Sequence, residues 1–162
     1  MEPSDFEAMT KGHLIHPADF QLDNQIFLEP ETDYPTINST WTDGSKSDEG
    51  TGSALCCYND KDEITKEWLG KLNQENSVFQ AELPAIYKSI THHANSTCLT
   101  KIWIDSLSSL QAIQNPVSPL PLVREIHKLL QDKKHIHLGW IKAQTGHQGN
   151  ETADVLATRA IT

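Results

Sequence analysis

The sequence lacks a long apolar run, a surplus of basic residues and a paired set of cysteines. No apolar stretch approaches the roughly 20 residues needed to cross a bilayer, so we expect no membrane span. The acidic start, Met1–Glu7, lacks the basic-then-apolar layout of a signal peptide. Three cysteines, of which Cys56 and Cys57 are adjacent, cannot form a paired disulfide framework. We therefore expect a reduced, intracellular compartment, without distinguishing nucleus from cytoplasm.

The net charge of −9 is distributed unevenly along the chain. Residues 1–36 hold eight acids and one lysine, together with four prolines and no clear periodicity. They are predicted to be an acidic N-terminal tail or linker, with a short ordered piece at Ile26–Leu28. Residues 37–162 are predicted to form one folded domain. This part carries fourteen acids against twelve Lys and Arg, so the charge does not exclude a phosphate-bearing partner.

Apolar periodicity predicts an α/β fold with the element order β-β-β-α-β-α-α-β-α. The predicted strands are residues 37–42, 52–58, 64–69, 99–104 and 136–140. The first helix follows a capping box formed by Ser77 and Gln80, and the later helices are residues 106–114, 120–131 and about 150–160. A hairpin meander followed by helix-crossed strands implies a five-stranded mixed sheet. Three strands are antiparallel, the last two are parallel, and helices cover both faces.

Four carboxylates occupy the ends of these predicted elements: Asp43, Glu82, Asp105 and Asp154. Asp43 and Asp105 each follow an apolar run, where a strand should stop, and the other two lie near the starts of helical patterns. Acids in such positions can converge, and a cluster of like charges is costly unless cations occupy it. Glu82 also flanks an apolar stripe, where it would be poorly solvated without a cation. The pattern predicts divalent-metal chemistry on phosphate.

Each acid also has an ordinary explanation when taken alone. Asp43 before Gly44 is a common turn pair, Asp105 could cap the next helix, and Asp154 suits the helix dipole. Glu82 is the hardest to explain without a cation. The joint occurrence of all four favours a site.

Four short motifs occur in one order: Thr42-Asp-Gly-Ser45, Gln80-Ala-Glu-Leu83, Asp105-Ser106 and Gly149-Asn-Glu-Thr-Ala-Asp154. Over about residues 37–160, their order and spacing resemble the ribonuclease H family of type 1. The surrounding sequence, such as Val78-Phe-Gln-Ala-Glu82, is most similar to the ribonuclease H domains of arthropod non-LTR retrotransposons. The resemblance implies a ribonuclease H-like fold. It also implies an endoribonuclease that hydrolyses the RNA strand of RNA–DNA hybrids.

The resemblance also implies roles for individual residues. Asp43 would bind both of two Mg²⁺ ions, which Mn²⁺ can replace, while Glu82 and Asp105 complete one ion's shell and Asp154 the other's. His147 would assist catalysis. Contacts to nucleic acid are implied at six further positions: Gly44, Ser45, Gln80, Ser106, Gln144 and Asn150. The implied partners are the hybrid and a reverse transcriptase of the parent element, with a monomeric chain and no membrane.

The chain departs from the family pattern at several positions. A histidine is usual ten residues before the last aspartate, where this chain has Gln144; His147 lies three residues further on. Glutamine cannot exchange a proton near neutral pH, so we expect slowed cleavage unless His147 substitutes. Pro84 lies inside the first helix, where it is expected to kink the helix and displace Glu82. Val78 and Phe79 replace amide side chains that read the hybrid's minor groove in cellular members.

Two alternatives to this enzyme remain open. One is a catalytically impaired hybrid-binding or interaction module derived from a retroelement, which Gln144 and Pro84 favour and the four acids oppose. The other is a 3′–5′ exonuclease of the same fold, which the motif wording disfavours. Two further pairs, His92-His93 and Cys56-Cys57, lack ligand spacing with other soft ligands and are predicted to have no metal role. Strand alternation should send the two cysteines to opposite faces.

Overall fold

The computed structural model describes residues 22, 24–28, 38–72, 78–142 and 148–161. Within these residues the chain forms six strands and four helices. In chain order the elements are β1 (Ile26–Phe27), β2 (Asn38–Ser47), β3 (Gly50–Tyr58), β4 (Ile64–Leu72), α1 (Val78–His93), β5 (Thr100–Ile104), α2 (Leu107–Gln114), α3 (Pro121–Asp132), β6 (Ile136–Trp140) and α4 (Gln148–Arg159). From β2 onward this is the predicted element order. No helix among the described ranges is long and apolar enough to cross a membrane.

The strands form one mixed sheet in the order β1-β6-β5-β2-β3-β4. Strands β2, β3 and β4 pair antiparallel as a meander. Strand β5 joins β2 in parallel, and β6 joins β5 in parallel. The predicted arrangement of three antiparallel strands followed by two parallel ones is therefore confirmed. The parallel connections run through helices, as βαβ geometry requires.

The structure adds a sixth strand at the edge of the sheet. Ile26 and Phe27 pair in parallel with β6, and Leu22 is buried in the core. The short ordered piece expected at Ile26–Leu28 is thus part of the sheet, whereas the sequence predicts only five strands. A two-residue strand is too short to show a periodicity. The other residues of 1–36 lie outside the described part of the chain, so the domain boundary at residue 37 stays a prediction.

Strand β2 extends further than the sequence predicts. The apolar run suggests an end at Thr42, but β2 continues to Ser47 because its pairing with β3 runs from Ser39 to Ser47. Its pairing with β5 does stop at Thr42, opposite Ile104. Asp43 therefore lies inside a strand, but at the point where β2 loses its parallel neighbour.

Helices cover both faces of the sheet, as predicted. On one face, α1, α2 and α3 pack against β5 and β6 around Ile102 and Ile104. On the other face, α4 packs against Trp41 and Trp103. Alternation along β5 explains the division, because successive side chains point to opposite faces. Each fully buried Ile or Leu stabilises the fold by about 1.5–3 kcal/mol.

Candidate active site

The register of the parallel strands brings Asp43 and Asp105 together. Thr42 and Ile104 are the last residues at which β2 and β5 pair, and each aspartate is the residue that directly follows. Asp43 is 6% exposed, and its Oδ1 accepts a hydrogen bond of 2.8 Å from the backbone N–H of Gly44. The indole N–H of Trp140 donates to the backbone carbonyl of Asp105 at 3.3 Å.

Glu82 approaches the two aspartates from helix α1. Its side chain is only 1% exposed, because α1 packs across the sheet on the face covered by α2. The hydroxyl of Ser109 donates to Glu82 Oε2 at 2.7 Å. Ser109 lies on α2, where the side chain of Ser106 caps the helix by accepting from the backbone N–H of Ser109.

Ser109 is a site residue that the sequence reasoning missed. It is fully buried in α2, next to Leu110 and four residues before Ile113. A serine on the apolar face of a short helix needs a hydrogen-bond partner. That pattern could have pointed to a contact with a neighbouring polar group.

Helix α1 continues through Pro84 from Val78 to His93. Pro84 has no backbone N–H, so the carbonyl of Gln80 lacks its usual helical hydrogen bond. Gln80 lies in the first turn of the helix. Glu82 nevertheless remains close to Asp43 and Asp105. The expected displacement of Glu82 is therefore wrong.

One carboxylate oxygen from each of Asp43, Glu82 and Asp105 lies within 4.8 Å of the others. Burial, the charge of Asp105 and the neighbouring Asp154 together raise the pKa of Asp43 from its ordinary 3.8 to about 8. Burial also raises the pKa of Glu82 well above its usual value, reinforced by a hydrogen bond with Asp105 and by its charge. The bond from Ser109 acts in the opposite direction, because it favours the carboxylate.

Asp154 brings the fourth carboxylate from the opposite face of the sheet. It lies on α4, which packs against β2 and β3, and its side chain is exposed. Its effect on the pKa of Asp43, which it raises, places it beside the buried group. The structure therefore brings Asp43, Glu82 and Asp105 together in one cluster and places Asp154 next to Asp43.

Gly149 allows α4 to approach the sheet closely enough for this contact. A Cβ at this position would clash with ring atoms of Trp41. Trp41 in turn stacks on Trp103, with ring centroids 5.8 Å apart. Helix α4, which carries Asp154, thus packs against Trp41 and Trp103.

The donor set of this site suits a hard divalent cation. All its ligand atoms are carboxylate oxygens, which Mg²⁺, Mn²⁺ and Ca²⁺ prefer. Closely spaced carboxylates repel one another, and a cation removes both the repulsion and the need for protonation. The residues present therefore fit a divalent metal centre.

The positions implied to contact nucleic acid are only partly described. Gly44 and Ser45 are half-buried on β2, beside the carboxylates. Ser106 is half-buried and caps α2, and Asn150 is buried in the first turn of α4. Gln144, His147 and the side chain of Gln80 lie outside the described residues.

The RNase H family profile matches residues 36–162. The chain belongs to the RNase H family. Among solved structures, the native protease–reverse transcriptase of prototype foamy virus matches with a TM-score of 0.66 and 18% identity, covering 81% of this chain and 22% of the viral one. A foamy viral protease–reverse transcriptase in complex with an RNA/DNA hybrid matches with a TM-score of 0.64 and 16% identity, covering 82% and 21%.

This chain thus spans about a fifth of the length of the viral chains. At such low identity, the likeness establishes the fold. A search of curated proteins found no match.

Proposed function

We propose that this protein is an endoribonuclease that hydrolyses the RNA strand of RNA–DNA hybrids. The observation that carries the proposal is the cluster of Asp43, Glu82 and the half-buried Asp105, with Asp154 beside Asp43. Membership of the RNase H family supports this reaction class. The foamy viral relative with an RNA/DNA hybrid supports this class of substrate.

The four acids would hold two Mg²⁺ ions, or Mn²⁺ in their place. When bound, such ions activate a water at neutral pH and stabilise the charge that develops on the phosphate and the leaving oxygen. Asp43 neighbours the other three acids and would help to hold both ions. Glu82 and Asp105 would complete one shell, and Asp154 the other.

The chain's own residues prepare the cluster for this chemistry. The N–H of Gly44 and the hydroxyl of Ser109 each hold one carboxylate oxygen in a fixed direction. Both bonds favour the ionised form of the acid that they contact. Gly44 and Ser45 border the cluster and would face the hybrid, which is recognised mainly by backbone shape and 2′-hydroxyls.

Proton transfer would limit the rate of cleavage by this enzyme. Gln144 cannot take or give a proton near neutral pH, and general acid–base assistance contributes on the order of 10²–10⁴-fold where it operates. We infer slowed turnover, with His147 as the substitute group.

A second candidate is a hybrid-binding module that does not cut, and Gln144 favours it. In either case we propose an origin in a non-LTR retrotransposon, with a reverse transcriptase as the partner in the parent element. The viral matches are themselves named as reverse transcriptases.

Cleavage of an end-labelled hybrid with Mg²⁺ or Mn²⁺ tests the proposal. We expect cutting of the RNA strand by the natural chain, loss in Asp43→Asn and enhancement in Gln144→His. Asp60→Asn is the matched control, because Asp60 is an exposed acid in the turn between β3 and β4. Hybrid binding without cutting in the natural chain and in Gln144→His would favour the binding module instead.

A further inference from the structure

A second cluster of metal-binding side chains lies at the opposite end of α1 from Glu82. It consists of Cys57 on β3 with His92 and His93 in the last turn of α1, and we call it the sulfur–imidazole cluster. One ligand atom from each residue lies within 4.8 Å of the others. Among the described residues, it and the carboxylate cluster are the two groups with this property.

Strand alternation creates the sulfur–imidazole cluster by separating the two adjacent cysteines. Cys56 faces α4, where its thiol donates to the backbone carbonyl of Gly149. Cys57 faces α1 and packs beside Ala85. The predicted opposite orientation of the cysteines is confirmed. The sequence analysis predicts no metal role for the two cysteines or for His92 and His93. It does not anticipate that Cys57 lies next to His93, because the two residues are distant in the sequence.

The spacing of the ligand atoms suits a tetrahedral metal. The distance from Cys57 Sγ to His93 Nε2 is 3.7 Å. Bonds of about 2.3 Å to sulfur and about 2.0–2.1 Å to nitrogen at the tetrahedral angle place such atoms roughly 3.6 Å apart. Only a slight adjustment would bring these two atoms to the separation that a shared zinc ion requires.

The surroundings hold the buried ligands in this position. The hydroxyl of Thr40 donates to Cys57 Sγ at 3.3 Å and accepts from His93 Nε2 at 2.7 Å. Since an imidazole nitrogen holds either a proton or a metal, an ion bound to Nε2 takes the place of that proton and of its bond to Thr40. The ring of His135 donates from Nε2 to the backbone carbonyl of His93 at 2.9 Å, which ties down the end of α1. Cys57 is 1% exposed and His93 8% exposed, whereas His92 is exposed, which leaves a route for an ion to enter.

We propose that Cys57, His92 and His93 bind one borderline-soft divalent ion of the Zn²⁺ class, with water as the fourth ligand. Thiolate and imidazole donors select such ions, while carboxylate oxygens select Mg²⁺ and Mn²⁺. The two clusters therefore take different metals. An ion bound here joins the last turn of α1 to β3 and stabilises the helix that carries Glu82. The proposal is independent of the nuclease activity.

The same contacts would also exist in a hydrogen-bonded trio of Thr40, His93 and Cys57 with no ion. Cobalt titration distinguishes the two arrangements, because Co²⁺ bound by a thiolate shows a charge-transfer absorption that carboxylates and imidazoles do not produce. Cys98 is exposed, so the full chain is used with Cys98→Ser. Only Cys56 and Cys57 then remain, and Cys56 faces away.

We expect the thiolate–cobalt band to saturate at one ion per chain and to disappear when Zn²⁺ is added. Cys57→Ser should abolish it. His92→Ala, a change at an exposed residue, should weaken cobalt binding by more than about 100-fold, since even outer-shell partners of metal ligands cost about 10–100-fold. Asp43→Asn should leave the band unchanged.

Zn²⁺ should also raise the melting temperature of the Cys98→Ser protein and of Asp43→Asn, but not of Cys57→Ser. A chain that shows no thiolate band, or one whose band survives in Cys57→Ser, overturns the proposal. Unchanged affinity in His92→Ala overturns the three-ligand assignment.

Discussion

The hydroxyl of Ser109 donates a 2.7 Å hydrogen bond to Oε2 of Glu82, and both side chains are buried. This bond opposes the effects of burial and of Asp105, which raise the pKa of Glu82. Ser109 is therefore a positioning residue for the carboxylate cluster, although it need not touch a metal or a substrate.

Replacing Ser109 by Ala should weaken metal binding and shift the pH profile of cleavage to higher pH. A hydrogen bond to a charged group is worth about 1.5–3 kcal/mol, and without it the carboxylate of Glu82 is harder to form. Ser108→Ala is the matched control, because Ser108 is exposed one residue earlier. A Ser109→Ala protein with an unchanged pH profile and unchanged Mg²⁺ dependence would show that the bond is only structural.

The pKa of Asp43 predicts how metal binding depends on pH. The pKa of Asp43 is about 8 in the folded chain, above its ordinary value of 3.8. At a pH between these two values, Asp43 therefore holds a proton in the metal-free folded state but not in the unfolded chain. Stability without metal should therefore fall as pH rises from about 4 to about 8. Divalent ions compete with that proton.

Thermal melts with and without Mg²⁺ or Mn²⁺ test this dependence. The increase in melting temperature caused by the ion should be larger near pH 8.5 than near pH 6. Asp43→Asn should show a much smaller increase at both values. Equal increases in the natural chain at both pH values would contradict the assignment of the proton to Asp43.

Gly149→Ala should lower both stability and cleavage. The new Cβ would clash with the ring of Trp41, and overpacking of this kind costs about 1–3 kcal/mol. If α4 moves to relieve the contact, Asp154 moves with it, and a shift of about 1 Å can cost roughly 100-fold in rate.

Urea denaturation and hybrid cleavage measure the two effects of Gly149→Ala. Gly70→Ala is the matched control, because its Cβ would meet the half-buried ring of Trp68, which lies near the edge of the sheet and can move. Normal cleavage in Gly149→Ala would mean that Asp154 does not depend on the close approach of α4.

Gln25→Ala tests whether the segment before β2 belongs to the folded domain. The side-chain amide of Gln25 contacts three backbone carbonyls at 2.7, 3.0 and 3.1 Å, those of Leu130, Lys133 and Ile136. Loss of these bonds should lower the free energy of unfolding by about 1–3 kcal/mol, as measured by urea denaturation. Asn24→Ala, at an exposed neighbour, should change it little. Equal stability of the two variants would indicate that the segment contributes nothing.

The sequence predicted the regular part of the fold well because periodicity reports it directly. The alternating run at Ile136–Trp140 matches β6 residue for residue, and the buried run at Ile102–Ile104 forms the last three residues of β5. The predictions were wrong where pairing with a neighbour overrides the local pattern. Strand β2 passes through Asp43 to Ser47 because β3 pairs with it along its whole length.

The sequence by itself determined the order of the strands and helices and the four acids worth examining, because both depend on residue type and local spacing. The tertiary structure decided which side chains meet. Asp154 reaches Asp43 from one face of the sheet, and Ser109 and Glu82 meet on the other, because strand order and register bring distant segments together. The meeting of Cys57 and His93 is of the same kind. No local pattern contains such contacts, since they depend on how whole elements pack.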